Sequence, residues 1–247
     1  MVSAIRDLPI LDLQNVPVDA LQALHLVQDV RTVILSPSNA DAFMRISRIN
    51  VRSHIIVEPD ELLTIGHTVI DDSFLAMLPD CSKVTLVGCP FIDGFTISLF
   101  LEKVSSLRIF GQALYSDARA AGAFLSRVER LQGQLLETPR HALRWIGPTF
   151  LDTELVNNIK GREVVSVGPL IIDSVVTVND LTANITRLTQ VGDIKGREET
   201  VCALLSLCAA RVGAYEIVTP FLPPPEDAHD DNHVVNELVS IRGLARP

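Results

Sequence analysis

Residues 62–93 read LLTIGHTVIDDSFLAMLPDCSKVTLVGCPFID and state one phrase twice: an apolar run ending in glycine, a few loop residues, an apolar pair, then aspartate. Gly66 leads to Asp71 and Gly88 to Asp93, and the phrase returns after 22 residues. A unit that short, holding one strand, one turn and one helix, cannot enclose its own apolar face, so neighbouring units must stack.

The glycines extend the pattern. Gly66, Gly88, Gly111 and Gly133 are followed by Gly147, Gly168, Gly192 and Gly213, at steps of 22, 23, 22, 14, 21, 24 and 21 residues. A period in the low twenties is that of a solenoid. A longer period lies over it, because Gly66 to Gly147 spans 81 residues and Gly88 to Gly168 spans 80. Residues 121–139 and 201–220 align, residues 40–59 align with both, and Pro59, Pro139 and Pro220 close three modules at 21–59, 60–139 and 140–220. The 14-residue step is expected to be a coil without a helix, or a break in the sheet. Residues 1–20 are expected to cap the first module with a strand and turn.

Each unit carries the same parts. Before the glycine comes a brief β-prone run, such as VTLV at 84–87 or VVSV at 164–167. Asp71, Asp93, Asp152 and Asp173 each lie five positions after a glycine, ahead of helix-like spacing, and are expected to N-cap those helices at about 1 kcal/mol each. Ile97, Phe100, Leu101 and Val104 fall at helical spacing, as do Val201, Leu204, Leu205 and Cys208. The expectation is an α/β solenoid of short parallel strands and short helices with an internal duplication of about 80 residues.

At LAMLPDCSKVTLVGCPFIDGFTISLFL (75–101) the chain resembles a leucine-rich repeat of the cysteine-containing or ribonuclease-inhibitor-like kind, with apolar Leu75, Leu78, Val84, Leu86 and Ile92, and Cys89 near the ladder position. Other units place Gln112, Gln134, Pro148, Pro169 or Asp193 there. The resemblance implies one solenoid over residues 1–221 that serves as a curved binding scaffold, and it names no ligand. Residues 222–233 form an acidic proline-rich linker, and 234–247 an amphipathic tail suited to docking in a groove.

The formal charge of −9 disfavours a nucleic-acid surface spread over the whole molecule. No apolar run reaches a membrane span's length and the N-terminus does not read as a secretory signal, so a cytoplasmic chain is expected. Cys81, Cys89, Cys202 and Cys208 form no CxxC pair and read as buried free thiols. Asp227, His229, Asp230, Asp231 and His233 could bind a divalent ion, but they follow three prolines without a known ligand frame, so a solvated linker is the favoured reading. No nucleophile motif, P-loop or dinucleotide fingerprint is present, and no catalytic residue or cofactor is assigned.

If residues four before each glycine point inward, those three before it point outward, giving a row of Thr85, Arg108, Arg130, Arg144 and Thr189. Its arginines could meet an acidic peptide or a neighbouring subunit's carboxylates. Arg108, Arg130 and Arg144, with the tail residues Val234, Val235, Leu238 and Ile241, are therefore the candidate partner-binding residues. The functional expectation is a non-enzymatic protein-interaction or assembly scaffold. A self-associating structural subunit is the first alternative, and a metal-binding protein or enzyme using 227–233 the second. A small-molecule substrate is disfavoured.

Overall fold

The structure is a computed structural model that describes residues 4–218 and the pair Arg242–Gly243. It is an α/β protein whose strands lie mostly parallel in several sheets. The chain begins β1 (Ala4–Arg6), β2 (Ile10–Asp12), α1 (Val18–Gln22), β3 (Leu26–Gln28), β4 (Thr32–Leu35), α2 (Pro37–Met44), β5 (Ser47–Ile49) and β6 (Ser53–Ile56). It continues with β7 (Glu61–Gly66), β8 (Val69–Ile70), α3 (Asp72–Met77), β9 (Ser82–Gly88), β10 (Phe91–Ile92), α4 (Ile97–Lys103), β11 (Val104–Tyr115), α5 (Ala118–Leu125) and β12 (Val128–Glu137). Then come β13 (Leu143–Ile146), β14 (Thr149–Leu151), α6 (Thr153–Ile159), β15 (Arg162–Val167), β16 (Leu170–Ile172), α7 (Val178–Asn184), β17 (Ile185–Val191), β18 (Ile194–Gly196), α8 (Glu198–Leu207), β19 (Cys208–Val212), β20 (Tyr215–Ile217) and β21 (Arg242–Gly243).

The repeating unit thus holds two strands, one on each side of the turn, where the sequence reading expects one. The apolar pair after each glycine is the second strand: Phe91–Ile92 pairs in parallel with Leu114–Tyr115, and Leu170 and Ile171 with Ile194 and Lys195. The stretch expected as an N-terminal cap carries β1, β2 and α1 in the order of the later units. No helix lies between Gly133 and Gly147, and β13 opens a new sheet in the order β13-β15-β17-β19.

Two compact units divide the chain. The first comprises Met1–Gly88, Phe95–Gly111 and Gly122–Gly133, and the second Cys89–Gly94, Gln112–Ala121 and Gln134–Pro247. Three of the cuts fall immediately after a periodic glycine. In the first unit Leu21, Val27, Val33, Leu35 and Phe43 bury one cluster, and Ile34, Ile55, Val57, Val87 and Phe110 another. In the second, Leu151, Val164, Leu181, Leu188 and Leu204 fill one cluster, while Val165 and Val167 on the opposite strand face pack with Cys89, Phe91 and Leu114.

The glycines stack in two columns, one in each unit. Gly111 has φ +139° and lies so close to the preceding turn that a Cβ would come 1.9 Å from the Gly88 carbonyl oxygen. Gly192 repeats this over Gly168 at 2.2 Å. Only glycine combines that backbone conformation with that approach. In residues 4–57 the equivalent turn uses the ordinary left-handed region, with Asp7, Asp29 and Asn50 at φ 58°, 54° and 52°. Short polar side chains tolerate this conformation. Asn50 donates to Asp29 Oδ1 at 2.7 Å, binding successive turns together, and Gln28 donates to Asp29 Oδ2 at 2.8 Å within one turn.

Two of the four expected caps form. Asp71 accepts from the Phe74 amide at 2.8 Å and Asp152 from the Leu155 amide at 2.7 Å. Asp173 instead accepts from Val175 N in a tight turn, and α7 begins later, under a capping box of Thr177 and Asp180. Asp93 is drawn away by arginine, and the start of α4 is held from the preceding repeat, where Asp72 accepts from both Thr96 N and Thr96 Oγ1.

The columns predict a contrast between glycines. Gly111→Ala should destabilise by about 3 kcal/mol or more, the sum of backbone strain and overpacking. Gly122 is helical and has no atom within 4 Å of a built Cβ, so Gly122→Ala should be neutral or stabilising by up to about 1 kcal/mol. Urea unfolding of the two variants reads the difference directly.

Candidate functional site

Residues three before each glycine do not form an exposed row. Thr85 and Thr189 are buried, as is Val165. The correction has a packing cause: this face of the strands carries its own apolar cluster, so the sheets are covered on both sides. A polar residue there must either find a partner inside or sit where the cover ends.

Glu61 supplies that partner in the first unit. Its side chain is 6% exposed, Oε1 accepts from Thr85 Oγ1 at 3.0 Å and Oε2 pairs with Arg108. Arg108 also donates from Nε to Thr85 Oγ1 at 3.2 Å and from its terminal nitrogen to the Ile56 carbonyl at 2.7 Å. This guanidinium is therefore held in place by the fold. Its carbon lies 5.9 Å from the centroid of the Phe110 ring, and that of Arg130 lies 5.2 Å from the same centroid.

Arg108 and Arg130 are neighbours because of the glycine column. Gly133 rests on Gly111, so counting back three places Arg130 of β12 beside Arg108 of β11, at roughly the 4.8 Å spacing of paired strands. Like charges directly opposite one another are destabilising. Glu61 neutralises Arg108, while Arg130, exposed on β12, has no carboxylate partner among the described residues. An open hollow of about 440 Å³ lies here, lined by Arg52, His54, Arg108, Phe110, Arg130 and Gln132 among others. Three guanidiniums against one carboxylate leave it positive within an acidic chain. Guanidinium forks bind carboxylate or phosphate oxygens in pairs, so a ligand suited to these groups would carry such oxygens.

Arg144 belongs to the second unit and does not join this group. It donates to both Asp93 carboxylate oxygens, at 2.9 and 2.8 Å, and lies over Phe91 at 5.2 Å. Val234, Val235, Leu238 and Ile241 lie outside the described residues, as does the 227–233 cluster. Among the described residues no three His, Cys, Asp or Glu side chains converge on a common metal position. Cys89 fits the buried-thiol reading and Cys208 is half-buried, with burial pushing their pKa up to about 12 and about 11. Cys81 and Cys202 do not fit it, because both are exposed. No helix among the described residues is long and apolar enough to cross a membrane.

Sequence reasoning missed Arg52, His54, Phe110 and Gln132. Their signal is alternation, since Arg52 and His54 lie two apart, like Arg108 and Phe110, or Arg130 and Gln132. A strand puts such pairs on one face. The missing clue was that Asn50 takes the glycine's place at the turn before β6.

The Arg144 pair predicts an acid-sensitive contribution to stability. The hydrogen bonds from Arg144 hold the Asp93 carboxyl below the usual carboxylate range. A depressed folded pKa contributes stability that is complete above the unfolded value, near pH 4, and is lost as pH falls through the folded pKa. Arg144→Met should therefore cost up to about 1 kcal/mol at pH 6, the pair being partly solvent-screened, and the difference from wild type should shrink as pH falls below about 4 and vanish once Asp93 is protonated in the folded state. Denaturation across that range checks it.

Comparison with protein-family models, with curated proteins and with solved structures returned no match to this chain.

Proposed function

We propose that this chain is a non-enzymatic protein-interaction module, built on a leucine-rich-repeat-like solenoid, that binds a partner protein through the arginine-lined hollow of its first unit. The observation that carries the reading is Arg130, exposed on β12 beside Arg108 without a carboxylate of its own among the described residues. Glu61 neutralises Arg108, so Arg130 is the charge the fold leaves unanswered among the described residues. A charge left without an internal partner is open to complementary charge on a ligand.

The solenoid reading rests on the recurrence of the left-handed turn. It falls at Asp7, Asp29 and Asn50, then at Gly66, Gly88, Gly111 and Gly133, then at Gly147, Gly168, Gly192 and Gly213. Ladder-like bonds add support. Gln112 Oε1 accepts from Gln134 N at 2.9 Å and Asp193 Oδ1 from Ala214 N at 2.8 Å, so glutamine and aspartate act where leucine-rich repeats use asparagine or cysteine.

A self-associating structural subunit is the second reading, favoured by one feature. β12 pairs with β11 alone among the described residues, leaving an edge open to another strand. Solution mass separates the two. By size-exclusion chromatography with light scattering over a wide concentration range, the intact chain and a version ending at Pro220 should both remain monomeric. A mass that climbs with concentration in the intact chain overturns the partner-binding reading in favour of self-assembly, and loss of that rise on shortening locates the contact in the tail.

A further inference from the structure

We infer that the hollow bounded by Arg52 and Arg130 receives an extended acidic segment of a partner protein, carrying carboxylates at alternate positions, laid alongside β12. This rests on the partner-binding reading above and names the chemistry of the ligand.

Three observations lead to it. The first is charge. Arg52 and Arg130 are both exposed, and neither guanidinium has an ion-pair partner among the described residues, whereas Arg108 has Glu61. Two free positive charges, one on β12 and one immediately before β6, call for two negative charges that are also apart. The second is size. A hollow of about 440 Å³ falls in the range that accommodates a ligand of many atoms, well beyond a single phosphate group. The third is spacing. Arg130 and Gln132 alternate along β12, and Arg52 and His54 alternate into β6, so donors repeat at roughly 6.6–6.8 Å along each strand. An extended peptide presents its own alternate side chains at that interval.

The open edge of β12 provides the backbone for such a segment. Added strands dock by main-chain hydrogen bonds and are selected by pockets for alternate side chains. Here the selecting groups are Arg130, Arg52, His54 and Gln132, with Phe110 as the apolar floor on which the Arg130 guanidinium rests. Charges at the rim also steer an acidic partner toward the site, so association should weaken with added salt.

The test is fluorescence anisotropy of the full chain with a labelled synthetic peptide alternating glutamate and threonine, against the same peptide with glutamine for glutamate. The glutamate peptide should bind, the glutamine peptide should bind at least tenfold more weakly, and added salt should weaken the first. Arg130→Ala and Arg52→Ala should each weaken it about tenfold, while Arg144→Ala leaves it unchanged. Both test arginines are exposed, and circular dichroism melts establish that the variants fold. Equal affinity for the two peptides, no binding, or full binding by the Arg52→Ala/Arg130→Ala double variant overturns the inference. Inorganic phosphate bound at these arginines without peptide binding also overturns it, in favour of a small anion. Failure here in a chain that stays monomeric moves the partner surface elsewhere, whereas a growing mass removes the partner-binding reading itself.

Discussion

A hydrogen atom in place of a side chain lets one turn of this backbone lie directly on the next, and the register of the strands follows from that contact. Gly88 lies on Gly66, Gly111 on Gly88 and Gly133 on Gly111, each so close that a Cβ would strike the carbonyl below. In the second unit Gly168 lies on Gly147, Gly192 on Gly168 and Gly213 on Gly192 in the same way. Because the stacked glycines are in register, the residues at each offset before them are in register too. Val84 and Leu107 meet inside, and Thr85 and Arg108 meet on the opposite face.

That alignment turns single substitutions into rows, and the two units use the same row differently. In the second unit the offset of three places Arg144 first, answered by Asp93, and then Val165 and Thr189, both buried. Every charge in that row has a partner within the unit. In the first unit Thr85 and Arg108 share Glu61, and the next strand adds Arg130. The register that makes β12 pair with β11 therefore also brings the second arginine against the first.

Much of this was legible beforehand. The period, the glycine turns, the strand before each turn and the helix after it follow from spacing alone, and Asp71 and Asp152 cap as their positions imply. The second strand was not legible, because two or three apolar residues such as Phe91–Ile92 carry no detectable alternation. Nor was the regularity of residues 4–57, where Asp7, Asp29 and Asn50 perform by side-chain tolerance what glycine performs elsewhere. The spacing of Asp93 implies a cap, but its competitor, Arg144, is distant in sequence and near only in the fold. The same limit hid the hollow. Arg52 and His54 share it with Arg130 only once residues 4–57 and the later strands have packed through Ile55, Val87 and Phe110.

A cluster of cations in an acidic chain has two possible physical origins, and the environment of each guanidinium distinguishes them. A structural arginine is half-buried and hydrogen-bonded into the fold, as Arg108 is by Glu61, Thr85 and the Ile56 carbonyl. Removing it strands a buried carboxylate, which is costly. A recognition arginine is exposed, rests on an aromatic face that limits its freedom, and keeps its donors for something else. Arg130 is exposed over Phe110 and without a carboxylate partner among the described residues, which is what supports the proposed role. The fold thus uses one internal carboxylate to fix the inner arginine and leaves the outer one on the last strand of that stack among the described residues, where the proposed acidic strand would lie.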